Sequence, residues 1–466
     1  MRKFTPLRSP RPPAVILSAA KDLSPGRAQI LRCAQDDSSA SVNAYGGTPG
    51  GYPGGDLWVP CSHRQSVHGR KTNMQKTGNT SRKTLRTIAL GVGAASLLTL
   101  PIALEVRLKQ AKQPLTDAWQ HLPIEPRRST LLGISFRSPQ VAVLGLDART
   151  TLQTLLTYPF PLIRLGAYWN RMEPEPGVFH TDELDWQIDA AERAGKQIIL
   201  CVGPLKTFNY PEFFVPAHHL RHPLQEHTLI RPSAYPSLLT AATAFITRLV
   251  ERYKHRKGIV AWQLEHEAVD PLGVEHTWRL HVAFVEKEVE ALRKADPTRP
   301  VMMNGFLPTS LPVRLSQWWK TRDQGDSLAV AQRVADIVGI DYYPRHALMT
   351  VGTKTLYLDG SKSPWQQRRR KQLFAWTHMH GQKLMISEGQ AEPWETVTIP
   401  PNPDKQRMYS CLPEQVINNY NTCVRWSQQE ASLYAYLFWG AEYWMLRKQC
   451  ADSSYIQAFA RILENA

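Results

Sequence analysis

The chain is poor in the motifs that bind metal ions and dinucleotides. Its six cysteines form no CxxC pair and no Cys/His cluster with the spacing of a zinc site. No GxGxxG motif follows the first apolar run of the globular part, which argues against a dinucleotide-binding sheet. Four histidines fall close together but match no metal-binding pattern, and we expect them to contact solvent or substrate: His218, His219, His222 and His227. We therefore predict no metal and no cofactor.

Acidic residues are scarce only at the beginning of the chain. Residues 1–130 contain 19 Lys and Arg against 7 Asp and Glu, whereas the remainder contains 37 against 33. The net charge of +16 therefore comes mainly from the N-terminal region. The nearly neutral globular part has no basic helix and no zinc-finger spacing, so we predict that nucleic acid is not a partner. Nothing in the sequence indicates an oligomeric state.

The first hundred residues lack the periodicity of a folded domain. Residues 1–73 are rich in Pro, Gly, Ser and Arg, and we interpret them as a disordered extension with the natural start at Met74. A basic lead then precedes the uncharged run Ile88–Leu104, which is typical of a signal peptide or membrane anchor over residues 74–108. We expect the globular part to be exported, and either held at the membrane by this helix or released. Residues 109–130 are interpreted as a polar linker.

Eight short apolar runs alternate with amphipathic stretches over residues 131–466. This alternation predicts repeated strand–helix units around a parallel sheet. Eight such units in one domain indicate a (β/α)₈ TIM barrel, with an open doubly wound sheet as the alternative. The predicted strands cover residues 131–136, 162–169, 197–203, 259–265, 301–305, 337–343, 384–389 and 433–440.

Two glutamates stand at the ends of the fourth and seventh predicted strands. Glu267 closes the run GIVAWQLEHE, and Glu388 lies in QKLMISEGQ. In a barrel both strand ends lie at the mouth, where the functional side chains of this architecture are found. Either glutamate alone could simply balance a helix dipole. Two facing carboxylates, however, are what the hydrolysis of a glycosidic bond requires.

Three segments resemble known enzymes. IRLGAYWNRMEPEPGVFHTDELDWQIDAAERAGKQIIL is similar to the second and third strands of clan A glycoside hydrolases, closest to the β-galactosidase-like families (family 42 and relatives). PSAYPSLLTAATAFITRLVERYKHRKGIVAWQLEHE and LMISEGQAEPW resemble the acid/base strand and the nucleophile strand of the same families. The resemblance covers roughly residues 131–445. It implies that Glu267 is the acid/base and Glu388 the nucleophile.

The same resemblance implies roles for other side chains at the mouth. Arg164 would orient the nucleophile and hold it ionised, and Tyr343 or its neighbour Tyr342 would donate a hydrogen bond to it. The families carry Asn immediately before the acid/base, where it contacts the 2-hydroxyl of the sugar. This chain has His266 there. Because imidazole is larger and can titrate, we expect this contact to differ.

Aromatic residues are expected to form the walls of the cleft, because sugars present flat C–H faces. The resemblance to clan A glycoside hydrolases implies that Trp439 forms the floor of the subsite for the cleaved sugar and Trp169 its wall. Trp394 would reach more distant sugar units. Trp318 and Trp319 are interpreted as packing a helix onto the barrel.

These observations predict a retaining glycosidase, β-galactosidase-like, acting on an oligo- or polysaccharide. An endo-acting cellulase- or mannanase-like hydrolase of the same clan is the alternative among enzymes. A surface glycan-binding barrel without turnover is the alternative outside enzymes.

Overall fold

A computed structural model describes residues 105–209, 212–270, 278–308, 310–395, 406–429 and 432–466. The predicted extension 1–73 and the apolar run 88–104 lie outside these residues, so export and membrane anchoring stay predictions. Within the described ranges, no helix combines the length and the apolar character needed to cross a bilayer.

The described residues form fifteen strands and twelve α-helices. In chain order the strands are β1 Val106–Lys109, β2 Lys112–Pro114, β3 Leu131–Ser135, β4 Leu162–Gly166, β5 Gln197–Cys201, β6 Leu229–Ile230, β7 Ile259–Gln263, β8 Arg279–Leu280, β9 Val301–Phe306, β10 Ile337–Tyr342, β11 Arg345–Val351, β12 Lys354–Asp359, β13 Lys383–Gln390, β14 Gln406–Met408 and β15 Ala435–Trp439. The helices are α1 Ser138–Val143, α2 Ala148–Leu156, α3 Trp169–Met172, α4 Asp182–Arg193, α5 Pro236–Tyr253, α6 Val282–Ala295, α7 Leu311–Thr321, α8 Ser327–Val334, α9 Pro364–Met379, α10 Pro413–Gln429, α11 Ala441–Gln449 and α12 Ser454–Asn465.

Eight of the strands close into a parallel barrel. Around the barrel the order is β10, β13, β15, β3, β4, β5, β7 and β9, with β9 pairing back to β10. These strands correspond to the eight predicted apolar runs. The TIM-barrel prediction is therefore confirmed for the described part of the chain, and the open-sheet alternative is wrong.

The apolar residues of the barrel strands form two separate layers. Side chains on the outer side of the strands join the large core that lies beneath the surrounding helices. A smaller cluster inside the barrel consists of Leu162, Ile199, Ala261, Met302, Ile337, Met385, Ala435 and Leu437. Because side chains alternate across a strand, residues two positions further along point to the same interior. These next positions carry the polar residues of the candidate site.

The predicted linker is part of the folded domain. β1 pairs antiparallel with β12, and β2 pairs antiparallel with β14. Trp119, in a short 3₁₀-helix that follows, is buried against the main core. Strands of three or four residues at a sheet edge show too little alternation to stand out in a polar sequence. The described fold therefore begins well before residue 131.

The interpretation of Trp318 and Trp319 as packing residues is wrong. Their side chains are 51% and 61% exposed on α7. The polar residue Gln317 is instead the buried one on this part of the helix, and its amide donates to Asp270 Oδ2 over 3.2 Å. α7 is thus attached through a hydrogen bond to the loop that follows β7.

Candidate active site

A layer of buried polar side chains lies directly above the apolar filling of the barrel. Its members lie on β4, β7, β9, β10 and β13, two residues beyond an apolar interior residue or, on β10, four residues beyond it, and all are fully buried: Arg164, Gln263, Asn304, Asp341 and Ser387. Buried polar groups are costly unless hydrogen-bonded, so their partners define what the layer does.

A chain of hydrogen bonds crosses this layer from a cation to an anion. Arg164 Nε donates to Gln263 Oε1 (2.6 Å), and Gln263 Nε2 donates to Asn304 Oδ1 (3.1 Å). Asn304 Nδ2 then donates to Asp341 Oδ2 (2.6 Å), whose other oxygen accepts from Ser387 Oγ (2.7 Å). A guanidinium only donates and a carboxylate only accepts. Both amide groups between them are therefore held in one orientation.

This relay determines which nitrogen of His266 carries a proton. Asn304 Nδ2 lies 2.8 Å from His266 Nδ1, and Arg164 Nη2 lies 3.5 Å from the same atom. Both of these nitrogens are donors, so their contacts are satisfied when Nδ1 accepts and the ring carries its hydrogen on Nε2. Nε2 lies on the side of Glu212, whose Oε1 is 3.9 Å away. His266 thus presents a donor on the side of Glu212.

Glu388 is held between a cation and a phenol. Its Oε1 pairs with Arg164 Nη1 at 2.9 Å, and its Oε2 accepts from Tyr343 Oη at 2.6 Å, with all three side chains buried. Burial, followed by the negative charge of Glu388, raises the pKa of the Tyr343 hydroxyl well above its usual value, so that this hydroxyl remains a donor. Charge-assisted bonds to both oxygens orient the carboxylate and favour its ionised form.

Glu267 follows β7 in a strained backbone conformation. Its φ is 44°, and that of Glu265 is 43°, in the left-handed region that non-glycine residues seldom adopt. Lys206 Nζ donates to the carbonyl oxygen of Glu267 (2.7 Å) and pairs with the Glu212 carboxylate (3.2 Å). One carboxylate oxygen each of Glu267 and Glu212 lies within 4.8 Å of a ring nitrogen of His266.

The two predicted catalytic carboxylates therefore meet at one imidazole. Glu388 Oε1 lies 3.4 Å from His266 Nδ1, and Glu267 approaches the same ring from the fourth strand. His266 groups geometrically with acidic residues on both sides, as metal ligands would. Its Nδ1, however, accepts from Asn304, and both Glu388 oxygens accept from Arg164 and Tyr343. We assign these groups to hydrogen bonding.

Two buried acidic residues, Glu265 and Glu288, lie next to the loop that carries Glu267. Glu265 accepts hydrogen bonds from the backbone N–H groups of Leu205 (3.0 Å) and Lys206 (2.5 Å). At Gly203 a Cβ would lie 2.0 Å from the Glu265 nitrogen, so only glycine allows these two segments to approach so closely. Glu288 on α6 faces Glu265. Burial, and for Glu288 also the charge of Glu265, raises the pKa of both carboxyls. This pair was not predicted, although the sequence places a glutamate within the apolar face of α6.

Two of the predicted tryptophans lie at the mouth. The Trp439 ring is parallel to His266 (5°, centroids 6.5 Å apart), and the guanidinium of Arg137 lies 4.0 Å from its centroid. Trp394 contacts Tyr343 edge to face, with centroids 5.5 Å apart. Arg137 was not predicted. It is fully buried and ion-paired with two carboxylates, those of Glu392 and Glu442.

Two other predicted site residues lie elsewhere. Trp169 is fully buried in the outer core, where it contacts Phe245 of α5 and stacks on His219. Tyr342 also points out of the barrel and meets Trp426 of α10 edge to face. Trp169 is therefore not a wall of this site, and Tyr343 rather than Tyr342 binds Glu388. Adjacent strand residues face opposite sides of the sheet, which explains why only one of the two tyrosines reaches the interior.

Residues 159–275 match the family model described as beta-galactosidase. The chain carries a glycoside hydrolase domain. This confirms the predicted resemblance to clan A glycoside hydrolases, over a segment that contains Arg164, His266 and Glu267. No curated protein sequence matches the chain.

Several solved glycosidase structures are similar to the chain at low identity. GH5_18 from Streptomyces cattleya, in complex with GlcNAc, is 14% identical with a TM-score of 0.45, and the match covers 73% of this chain and 82% of that one. The exo-beta-1,4-mannosidase Op5Man5 from Opitutaceae bacterium strain TAV5 is 14% identical (TM-score 0.42, covering 66% and 51%). A beta-galactosidase from Bacillus circulans sp. alkalophilus is 12% identical (TM-score 0.41, covering 68% and 51%). Likenesses this distant do not indicate a substrate.

Proposed function

We propose that this glycoside hydrolase cleaves O-glycosidic bonds with retention of anomeric configuration. We also propose that its activity is β-galactosidase-like and that its substrate is an oligo- or polysaccharide. The observation that carries the proposal is the position of Glu388 between Arg164 and Tyr343. A nucleophilic carboxylate must be ionised and aimed before the sugar arrives, and these two donors supply both conditions.

In the first step Glu388 attacks the anomeric carbon while Glu267 donates a proton to the departing oxygen. The bond to the leaving group breaks and a covalent glycosyl-enzyme forms. In the second step Glu267, now ionised, removes a proton from water, and this water attacks the anomeric carbon and releases Glu388. The closeness of both glutamates to His266 supports a substrate held between them.

His266 is proposed to donate its Nε2–H to the 2-hydroxyl of the sugar. His266 stands where the resembling families carry asparagine. The contact of Asn304 with Nδ1 leaves the ring hydrogen on Nε2, where it can be donated to the sugar. Bonds to the 2-hydroxyl strengthen in the oxocarbenium-like transition state. A donor at this position would therefore lower the barrier rather than only improve binding. Trp439, parallel to the imidazole, would stack beneath the apolar face of the same sugar.

Glu388→Gln tests the proposal, because the amide keeps the size of the side chain but cannot attack. We expect hydrolysis of aryl glycosides to fall by about 10³-fold or more, with sugar binding retained. The matched control is Glu175→Gln, which alters an exposed carboxylate at the same end of the barrel. Unchanged hydrolysis in Glu388→Gln would exclude Glu388 as nucleophile.

The products distinguish the remaining alternatives. NMR of the first-formed sugar should show the anomer of the substrate, whereas the opposite anomer would contradict a glycosyl-enzyme. Release of single sugars from a polysaccharide indicates exo action, and release of oligosaccharides indicates the cellulase- or mannanase-like endo mode. A native chain that binds glycans but hydrolyses none of them would be the glycan-binding barrel.

A further inference from the structure

We propose that Glu173, His218 and His219 form a binding site for a divalent metal ion of the zinc class, outside the candidate active site. Glu173 follows α3 in the loop after the second barrel strand, and the two histidines lie in a 3₁₀-turn in the loop after the third. One potential ligand atom of each residue lies within 4.8 Å of the others.

The spacing of these atoms suits one shared ion. His219 Nε2 lies 3.1 Å from Glu173 Oε2, and His218 Nε2 lies 3.6 Å from Glu173 Oε1. Ligand atoms about 2.0–2.1 Å from a tetrahedral Zn²⁺ lie roughly 3.3 Å from one another. The two histidine–glutamate separations, which end on different oxygens of Glu173, lie on either side of this value. The longer one exceeds an ordinary hydrogen bond but is within the range of an ion pair.

The chemistry of the three donors also suits such an ion. Two imidazole nitrogens and one carboxylate are a ligand set that zinc uses when a fourth position stays open to water. All three side chains are mostly buried, with 17–22% of each exposed. An ion can therefore enter from solvent and keep a water ligand.

Trp169 acts as the orienting partner that metal ligands require. Its Nε1–H donates to Glu173 Oε2 over 2.8 Å, and its ring stacks on His219 with centroids 4.6 Å apart. A fully buried tryptophan thus holds both the carboxylate and one imidazole in place. Such outer contacts are part of a built metal site, because they fix ligand orientation before the ion binds.

The sequence concealed this site because its ligands are distant in the chain. The adjacent pair of histidines matches no zinc spacing, and Glu173 precedes it by a whole strand–helix unit. The fold joins the two loops, and the Asn170 N–H donates to the Phe214 carbonyl over 2.8 Å beside the cluster. A bound ion would strengthen this junction. The second loop also carries Lys206 and Glu212, which contact the candidate active site.

Calorimetric titration of the metal-free full chain with ZnCl₂ tests the proposal. We expect His218→Ala and His219→Ala to lose one equivalent of binding, or to weaken it by about 100-fold or more. This exceeds the roughly 10- to 100-fold cost of removing an orienting contact. Co²⁺ should give the intense visible absorption of a four-coordinate site in the native chain and lose it in both variants.

His222→Ala is the matched control, because His222 is exposed and lies three residues further along the same loop. It should bind like the native chain. Glu173→Gln keeps an acceptor for Trp169 and should weaken binding with an unchanged melting temperature in the absence of metal. If all four variants bind Zn²⁺ equally well, the three residues form only histidine–glutamate ion pairs, and the proposal fails. Hydrolysis is not the readout, so this result is independent of the proposed function.

Discussion

His266 is the residue at which this chain departs from the enzymes it resembles. The direction of its hydrogen bonds follows from neighbours that are themselves fixed. Arg164 sets the orientation of Gln263, which sets that of Asn304, and Asn304 in turn makes Nδ1 of the imidazole an acceptor. Arg164 thus acts on the imidazole both through the two amides and through its own contact with Nδ1, at 3.5 Å.

Substitutions of His266 should separate the loss of a donor from the loss of a ring. We expect His266→Ala to lower kcat by about 10- to 100-fold, the value of one hydrogen bond that is strong in the transition state. His266→Asn restores a donor and should recover most of kcat. Steady-state kinetics on one aryl glycoside measures both. Equal kcat in the native chain and His266→Ala, with only KM raised, would mean that the imidazole assists binding alone.

The sequence was informative about the residues that carry charge at strand ends and much less so about those between them. Glu388 and Arg164 were predicted because they fall in segments that resemble known enzymes, and Tyr343 because it ends the sixth predicted strand. Gln263, Asn304 and Asp341 are single polar residues within apolar strands, and their importance appears only when the barrel closes. Trp169 was misplaced because the chain turns into α3 at that residue and directs its ring outward.

Among the elements, α6 has an unusual buried carboxyl. Glu288 and Glu265 are both fully buried, and Glu265 already accepts two backbone hydrogen bonds. The pair therefore holds a proton on Glu288 in the folded state, whereas both carboxyls ionise near their usual pKa in the unfolded chain. The folded state binds more protons above that usual pKa. Stability should consequently fall as the pH rises from about 5 towards the raised pKa.

Glu288→Gln should reduce this pH dependence. The amide mimics the protonated carboxyl and carries no proton to lose, so we expect the decrease in unfolding free energy between pH 5 and pH 8 to shrink by about 1–3 kcal/mol. Urea denaturation at both pH values measures it. Glu286→Gln, an exposed substitution on the same helix, is the control. If the native chain and both variants lose the same unfolding free energy between pH 5 and pH 8, the pair is not the cause of the pH dependence.

The elements of the barrel were predictable, and the small sheets around it were not. Each barrel strand is a run of apolar residues buried on both faces, a signal that survives without any alignment. β1 and β2 are short and largely exposed, and their pairing partners β12 and β14 are far away in sequence. Trp318 and Trp319 illustrate the opposite error, because large aromatic residues do not always lie in a core.

For the whole molecule, the start of the folded domain has a measurable effect. A fragment that begins at residue 110 lacks β1 and leaves the outer edge of β12 unpaired. We expect it to be less stable than the fragment 105–466 by about 2 kcal/mol, the net value of a short ladder of hydrogen bonds, and to self-associate through the open edge. Calorimetry and light scattering compare the two. Identical melting temperatures and masses would show that β1 contributes nothing to the fold.

β1 also determines how a pull on the N-terminal side of the chain would reach the enzyme. β1 pairs with β12, β12 pairs with β11, and β11 begins two residues after Tyr343. The backbone of Arg345, the first residue of β11, is hydrogen-bonded to Gln390, which lies two residues after Glu388. Tension applied ahead of Glu105 is therefore directed first to the two segments that carry Glu388 and Tyr343. In a chain tethered at that end, the hydrogen bonds that carry the mechanical load would be those that join the segments of Tyr343 and Glu388.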